Sequence, residues 1–118
     1  MTASHSRRSS YAPDRGDIVW LTFDPQTGHE QSGRRPALVI SPRAYNAKAN
    51  LALFCPITSR IKGHPFEVTL PPDGKITGAV LSDQIKNLDW RMRDAKFIIK
   101  VSPEVLALVV AKVRTLTS

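Results

Sequence analysis

The densest run of chemically competent side chains in this sequence is His29, Glu30, Gln31, Arg34 and Arg35. They fall inside the polar segment Asp24 to Arg35, DPQTGHEQSGRR, which also carries Gly28 and Gly33 and reads as one long loop. The run supplies a candidate proton acceptor, a candidate donor and two fixed cations. That inventory suits RNA cleavage without a metal, in which the neighbouring ribose 2′-hydroxyl attacks phosphorus. The protein must then take the hydroxyl proton, protonate the leaving 5′-oxygen and stabilise charge on the pentacoordinate phosphorus. General acid–base help is worth about 10²–10⁴-fold, and preorganised donors often contribute the larger share. Arginine fits the second role because its planar fork pairs with two phosphate oxygens at once. Spacing alone favours a plainer reading, a solvated polar loop with both arginines on the surface.

Other candidates are weaker by themselves. Thr58-Ser59 at a strand end is usually a turn feature, and an Asp83-Gln84 pair usually faces solvent. His5, His29 and His64 are scattered, with no His-x₃-His or Cys/His spacing, so no metal and no other cofactor is expected. A two-histidine ribonuclease using His29 and His64 is an alternative that spacing cannot assemble. Cys55 is the only cysteine, which excludes an intrachain disulfide or a thiolate metal cluster. It lies in the apolar run Leu51 to Ile57 and reads as a small buried hydrophobe rather than a nucleophile. Seventeen Lys/Arg against ten Asp/Glu give a charge of +7, which attracts polyanions in a salt-sensitive way.

The elements that must position these groups are short. The 118 residues fit one domain with one modest core. Residues 1–12 read as a flexible basic tail ahead of a domain spanning 13–118. Strands are expected at Ile18 to Phe23, Pro36 to Ser41, Leu51 to Thr58, Phe66 to Leu70, Gly78 to Ser82 and Lys96 to Val101. Arg43 to Asn50 suits a helical turn, and Asn87 to Arg93 fits either a short helix or a bend. Ser102 is a good N-cap, Pro103 suits the first helical position and Glu104 complements the positive helix end. Val105, Leu106, Leu108, Val109, Val110, Val113 and Leu116 then give a C-terminal helix a broad apolar face, to be packed on a sheet or at a subunit contact.

Nine prolines, six glycines and closely spaced turn signals argue for a small, strongly bent antiparallel sheet or barrel with that helix at its end. Closure would remove the exposed edges that so small a sheet otherwise presents. No stretch approaches the ~18 apolar residues of a membrane span. Arg7 and Arg8 are followed by no apolar segment, so no secretory signal is expected and a cytoplasmic location is the simplest inference.

Taken in order, the fragments become specific. Gly16-Asp17-Ile18-Val19-Trp20, Phe23-Asp24-Pro25, Gly28-His29-Glu30-Gln31 and Gly33 through Ala37 lead into Val39-Ile40-Ser41-Pro42 and Tyr45-Asn46. Pro56-Ile57-Thr58-Ser59, Lys62-Gly63, Pro65-Phe66-Glu67-Val68, Gly78, Asp83-Gln84, Lys86, Trp90-Arg91 and Arg93 complete the series. The chain resembles the MazF/PemK/Kid-type toxin family over about residue 11 to the C-terminus, most of all its chromosomal MazF branch.

The resemblance implies a mainly β fold, a small SH3-like barrel of the CcdB/MazF type with short helices, assembled as a homodimer. It implies metal-independent, ribosome-independent cleavage of single-stranded mRNA at short sequences, leaving a 2′,3′-cyclic phosphate and a 5′-hydroxyl. A cognate MazE-like antitoxin would neutralise the enzyme by covering the RNA groove. By position, Arg35 matches the family's catalytic arginine, Thr58 a threonine at the scissile phosphate, and Glu30 a glutamate implicated as base. His29 and Asp83 match Kid-type residues that support catalysis. Kid-type enzymes carry an arginine two residues before that aspartate, where this chain has Leu81. The arrangement expected is therefore centred on Glu30, Arg35 and Thr58, with Asp83 left to base recognition or structure rather than the acid–base pair. Ser59, Lys62, Phe66, Gln84 and Lys86 are expected RNA contacts, and loops 59–65 and 71–77 would set the cut sequence, for which ACA-containing sites are the guess. Two rivals remain at this point: a CcdB-like gyrase poison, since that fold also serves it, and a non-catalytic RNA-binding module.

Overall fold

In the computed structural model, which describes residues 11–23 and 33–118, the described residues form seven strands and two helices. The strands are β1 (Asp17–Thr22), β2 (Arg34–Val39), β3 (Leu51–Thr58), β4 (Glu67–Thr69), β5 (Ala79–Leu81), β6 (Lys86–Asp89) and β7 (Lys96–Lys100). Helix α1 (Arg43–Ala49) fills the β2–β3 connection and α2 (Pro103–Thr115) ends the domain. All pairings are antiparallel, in the order β4-β5-β3-β2-β1-β7, with β6 also on β3. The expected small, bent, mainly β fold with a C-terminal helix is what forms.

β3 is the hub. One edge pairs with β2 through Phe54, Cys55 and Pro56. The other edge is shared: Leu51 to Phe54 pair with β6, and Ile57 and Thr58 pair with β5. Strand side chains alternate between faces, and here both faces are buried. Leu38, Cys55 and Ile57 join Ile18, Val80, Val105 and Val109 on one side. Ala37, Val39, Ala52 and Phe54 join Val19, Leu21 and Trp90 on the other. Double burial is why these strands read as nearly continuous apolar runs.

β4 and β7 end the strand order, and no pairing joins them among the described residues. Helix α2 covers the first core instead. Its Ser102 hydroxyl accepts from the Val105 amide at 3.2 Å, as a cap should. Val105 and Val109 are buried, while Leu108 and Leu116 of the broad apolar face remain exposed. β7 carries exposed Phe97 and Ile99 between Lys96 and Lys100, charges of the kind that discourage edge-to-edge pairing.

Two expectations about elements need correcting. Arg34 and Arg35 belong to β2, not to the preceding loop: Arg34 pairs with Thr22 and Arg35 with Leu21. Asn87 to Arg93 is neither a helix nor a simple bend, because Lys86–Asp89 forms β6 and the turn follows it. KNLD contains one apolar residue, so only its partner strand makes it β.

Several polar motif residues tie this framework together. Asn46 is fully buried; its Nδ2 donates to the Pro13 carbonyl at 2.7 Å and the Ser41 carbonyl at 3.0 Å, and its Oδ1 accepts from the Ser41 hydroxyl at 2.6 Å. The Ser41 hydroxyl accepts in turn from Leu53, and Trp90 Nε1 donates to the Asn46 carbonyl. Asp17, also buried, accepts from the Tyr11 hydroxyl and the Asp14 amide and pairs with Lys100 at 2.7 Å. Tyr11 and Ala12 are thus packed onto the domain, Ala12 within the second core.

Candidate active site

β2 and β3 each contain a proline near the same end, Pro36 and Pro56, and neither offers an N–H to a ladder. The β2–β3 register stops at Ala37↔Pro56. Just past it a cleft of 640 Å³ opens, lined by Arg35 and Pro36 from β2, Ile57 and Thr58 from β3, then Ser59, Arg60 and Thr77. It lies within the roughly 300–1,000 Å³ usual for ligand pockets. Its cations are Arg35 and Arg60, and no carboxylate of the described residues lines it.

Strand alternation separates the adjacent arginines. Arg34 turns to the other side, where its guanidinium donates to the Thr22 hydroxyl at 2.9 Å and the Asp94 carbonyl at 2.7 Å and lies 3.7 Å from the Asp94 carboxylate. Arg93 donates to the carbonyls of Thr22 and Phe23, and the Phe23 amide donates to the Gly33 carbonyl at 2.6 Å. These bonds tie Thr22, Phe23, Gly33, Arg93 and Asp94 together, so Arg34 is spent on structure. Arg35 is exposed and faces the cleft.

Thr58 is set by its neighbours. Its hydroxyl accepts from the Arg60 amide at 3.1 Å, which closes a tight bend after β3. On the other side β5 approaches so closely that a Cβ on Gly78 would sit 2.0 Å from the Thr58 carbonyl oxygen. Gly78 also has φ +110°, a conformation open to glycine. Glycine at 78 is therefore a condition for Thr58 lying where it does.

Of the expected site residues, the structure brings Arg35, Thr58 and Ser59 together. His29 and Glu30 lie outside the described residues. Lys62, Asp83, Gln84 and Lys86 are exposed but do not line the cleft, and Phe66 is half-buried. Lys62 and Gly63 instead donate their amides to the Glu67 carboxylate, which shapes the loop after Arg60. Cys55 is buried, and desolvation first, then the charge of Asp83, pushes its thiol up to about 12. A thiol so suppressed is no nucleophile at neutral pH, as its apolar setting suggested.

Sequence reasoning missed Arg60 and Thr77. Arg60 was legible as a cation two places after Thr58. Thr77 reaches the cleft because β5 pairs with the end of β3, through Thr58↔Ala79, a contact that no local pattern announces.

Residues 14–117 match the PemK-like, MazF-like toxins of type II toxin–antitoxin systems. The chain is 46% identical to the endoribonuclease toxin MazF of Escherichia coli K12 over 108 residues, covering 92% of this chain and 96% of that protein. Its structure resembles MazF (Form-I) from Deinococcus radiodurans with a TM-score of 0.83 and 53% identity, covering 92% of this chain and 98% of that one. It likewise resembles MazE-MazF (Form-II) from the same organism, with a TM-score of 0.82 and 47% identity over 92% and 98% of the two chains. No helix of the described residues is long and apolar enough to cross a membrane. Fold, cleft and likeness along nearly the whole chain agree: this protein belongs to the PemK-like, MazF-like toxin family of type II toxin–antitoxin systems.

Proposed function

We propose that this chain is an endoribonuclease toxin that cuts single-stranded mRNA at short sequences, without a metal and without the ribosome. The observation that carries the reading is the pairing of an exposed arginine, Arg35, with a backbone-oriented threonine, Thr58, in one basic cleft. The names of its relatives, endoribonucleases MazF and PemK, support the activity class.

In this reading the 2′-hydroxyl gives up its proton, the O2′–P bond forms and the P–O5′ bond breaks. The 5′-oxygen takes a proton, leaving a 2′,3′-cyclic phosphate and a 5′-hydroxyl. The Arg35 guanidinium binds the non-bridging oxygens as charge builds on them. Thr58 adds one donor, because its oxygen already accepts from Arg60 and its own proton is turned elsewhere. Glu30, five places before Arg35 in the chain, is our choice of base, with His29 in support; Asp83, which does not line the cleft, is assigned to base recognition or to the frame. Ser59 contacts the RNA within the cleft, and Lys62, Phe66, Gln84 and Lys86 extend the RNA contacts beyond it.

The enzyme works in the cytoplasm as a homodimer, and an acidic MazE-like antitoxin inhibits it by occupying the same basic groove. The MazE-MazF assemblies of its D. radiodurans relatives support such a partner. The deciding experiment incubates the purified chain with a long RNA in EDTA and maps the ends. Discrete cuts carrying cyclic phosphate and 5′-hydroxyl are expected. Intact RNA would point to a gyrase poison or a mere RNA binder.

A further inference from the structure

The cleft contains a second cation that the reaction just described does not use. Arg60 lines it together with Arg35, and its side chain is exposed. Among the described residues, Arg34, Arg43 and Lys100 have carboxylate partners within 4.0 Å, whereas Arg60 and Arg35 do not. The Arg60 backbone is nonetheless anchored, since its amide is bonded to the Thr58 hydroxyl and Lys62 and Gly63 just beyond are held by Glu67. Two guanidinium groups sharing one cleft repel each other until anions fill it. A volume of 640 Å³ also exceeds what one phosphate occupies, being in the range of whole small-molecule sites.

We infer that Arg60 is a second phosphate-binding residue, gripping the RNA linkage next to the one that is cut. The inference rests on the ribonuclease reading and gives that site a defined division of labour. Arg35 and Thr58 meet the scissile phosphate, where charge increases during reaction. Arg60 meets a neighbouring phosphate, whose charge stays constant from bound substrate to transition state. A contact of constant strength lowers KM and leaves kcat alone. The Arg60 amide orients Thr58 through the backbone, a bond that Arg60→Ala keeps, so the side chain can be tested apart from the catalytic hydroxyl.

The test uses the full-length protein and an RNA oligonucleotide spanning a cut site mapped with the wild type. Arg60→Ala should raise KM about tenfold or more, the size of a charge-assisted hydrogen bond, with kcat within about twofold. On the same oligonucleotide made uncleavable by a 2′-deoxy sugar at the cut, the slope of log affinity against log salt should fall by about 0.7, one phosphate contact on a single strand. Arg60→Lys should restore most of that slope.

A neutral methylphosphonate at one linkage beside the cut should weaken the wild type as much as Arg60→Ala does, and should not weaken the Arg60→Ala variant further. An unchanged slope, a loss confined to kcat, or no neighbouring linkage that masks the substitution would overturn the assignment. Wild-type protein that cuts no RNA would instead remove the ribonuclease reading itself, a result visible before any variant is made.

Discussion

Two polar regions of this domain use similar groups to opposite ends. At the junction of Ser41, Asn46 and Trp90, hydroxyl, amide and indole N–H are buried and each is bonded to protein. At the cleft, Arg35 and Arg60 are exposed, and Thr58 accepts one bond while keeping its proton for another partner. Buried polar groups with all their capacity used add rigidity and are costly to disturb. Polar groups with capacity left over, held on a rigid strand end, are where a ligand can be recognised. Arg34 and Arg35 repeat the contrast within two residues.

The contrast can be broken most sharply at Arg35. Arg35→Ala should lower cleavage of a mapped RNA by at least about 10²–10³-fold, the usual loss for one transition-state donor, with Tm unchanged within a degree or two. A fully active, folded variant would remove Arg35 from the mechanism. Asn46→Ala is the mirror experiment. It leaves the Ser41 hydroxyl and the Pro13 and Ser41 carbonyls short of partners and should cost about 3 kcal/mol in urea unfolding. The fraction still folded should cut RNA with wild-type kcat, and an equal loss of kcat would erase the distinction between the regions.

Gly78→Ala sits on the boundary between them. The new Cβ would collide with the Thr58 carbonyl, so stability should fall by about 2 kcal/mol and kcat should fall with it. A loss of stability alone would mean that Thr58 tolerates displacement.

The smallest effect is expected at Cys55. Its thiol is raised from an ordinary value of 9.0 to about 12 in the folded state. A raised acid favours the folded protein while the thiol is protonated; that stability is full below about pH 9 and is lost as pH climbs towards 12. Iodoacetamide at pH 8 should therefore label Cys55 only at the rate of unfolding. Cys55→Ser should leave kcat unaltered.

Much of the fold was legible because it is local. β3 is bounded where the apolar run Leu51 to Thr58 is bounded, and Ser102-Pro103-Glu104 marks the start of α2 through cap chemistry alone. The β1 strand and the helical turn expected over Arg43 to Asn50, which forms α1, likewise follow from neighbouring residues. β6 was hidden, because Lys86–Asp89 becomes a strand only by pairing with β3. Arg34 and Arg35 looked equivalent because a polar loop has no faces, whereas a strand has two.

Composition and motif order determined the charge, the fold class and the family to which the chain belongs, since these are properties of residues in sequence. The tertiary structure decided which arginine is spent on the frame and which faces the cleft, and it recruited Arg60 and Thr77 beside Thr58. The reason is geometric. Strand pairing joins positions far apart in the chain, and a one-residue step along a strand reverses the side on which a charge appears.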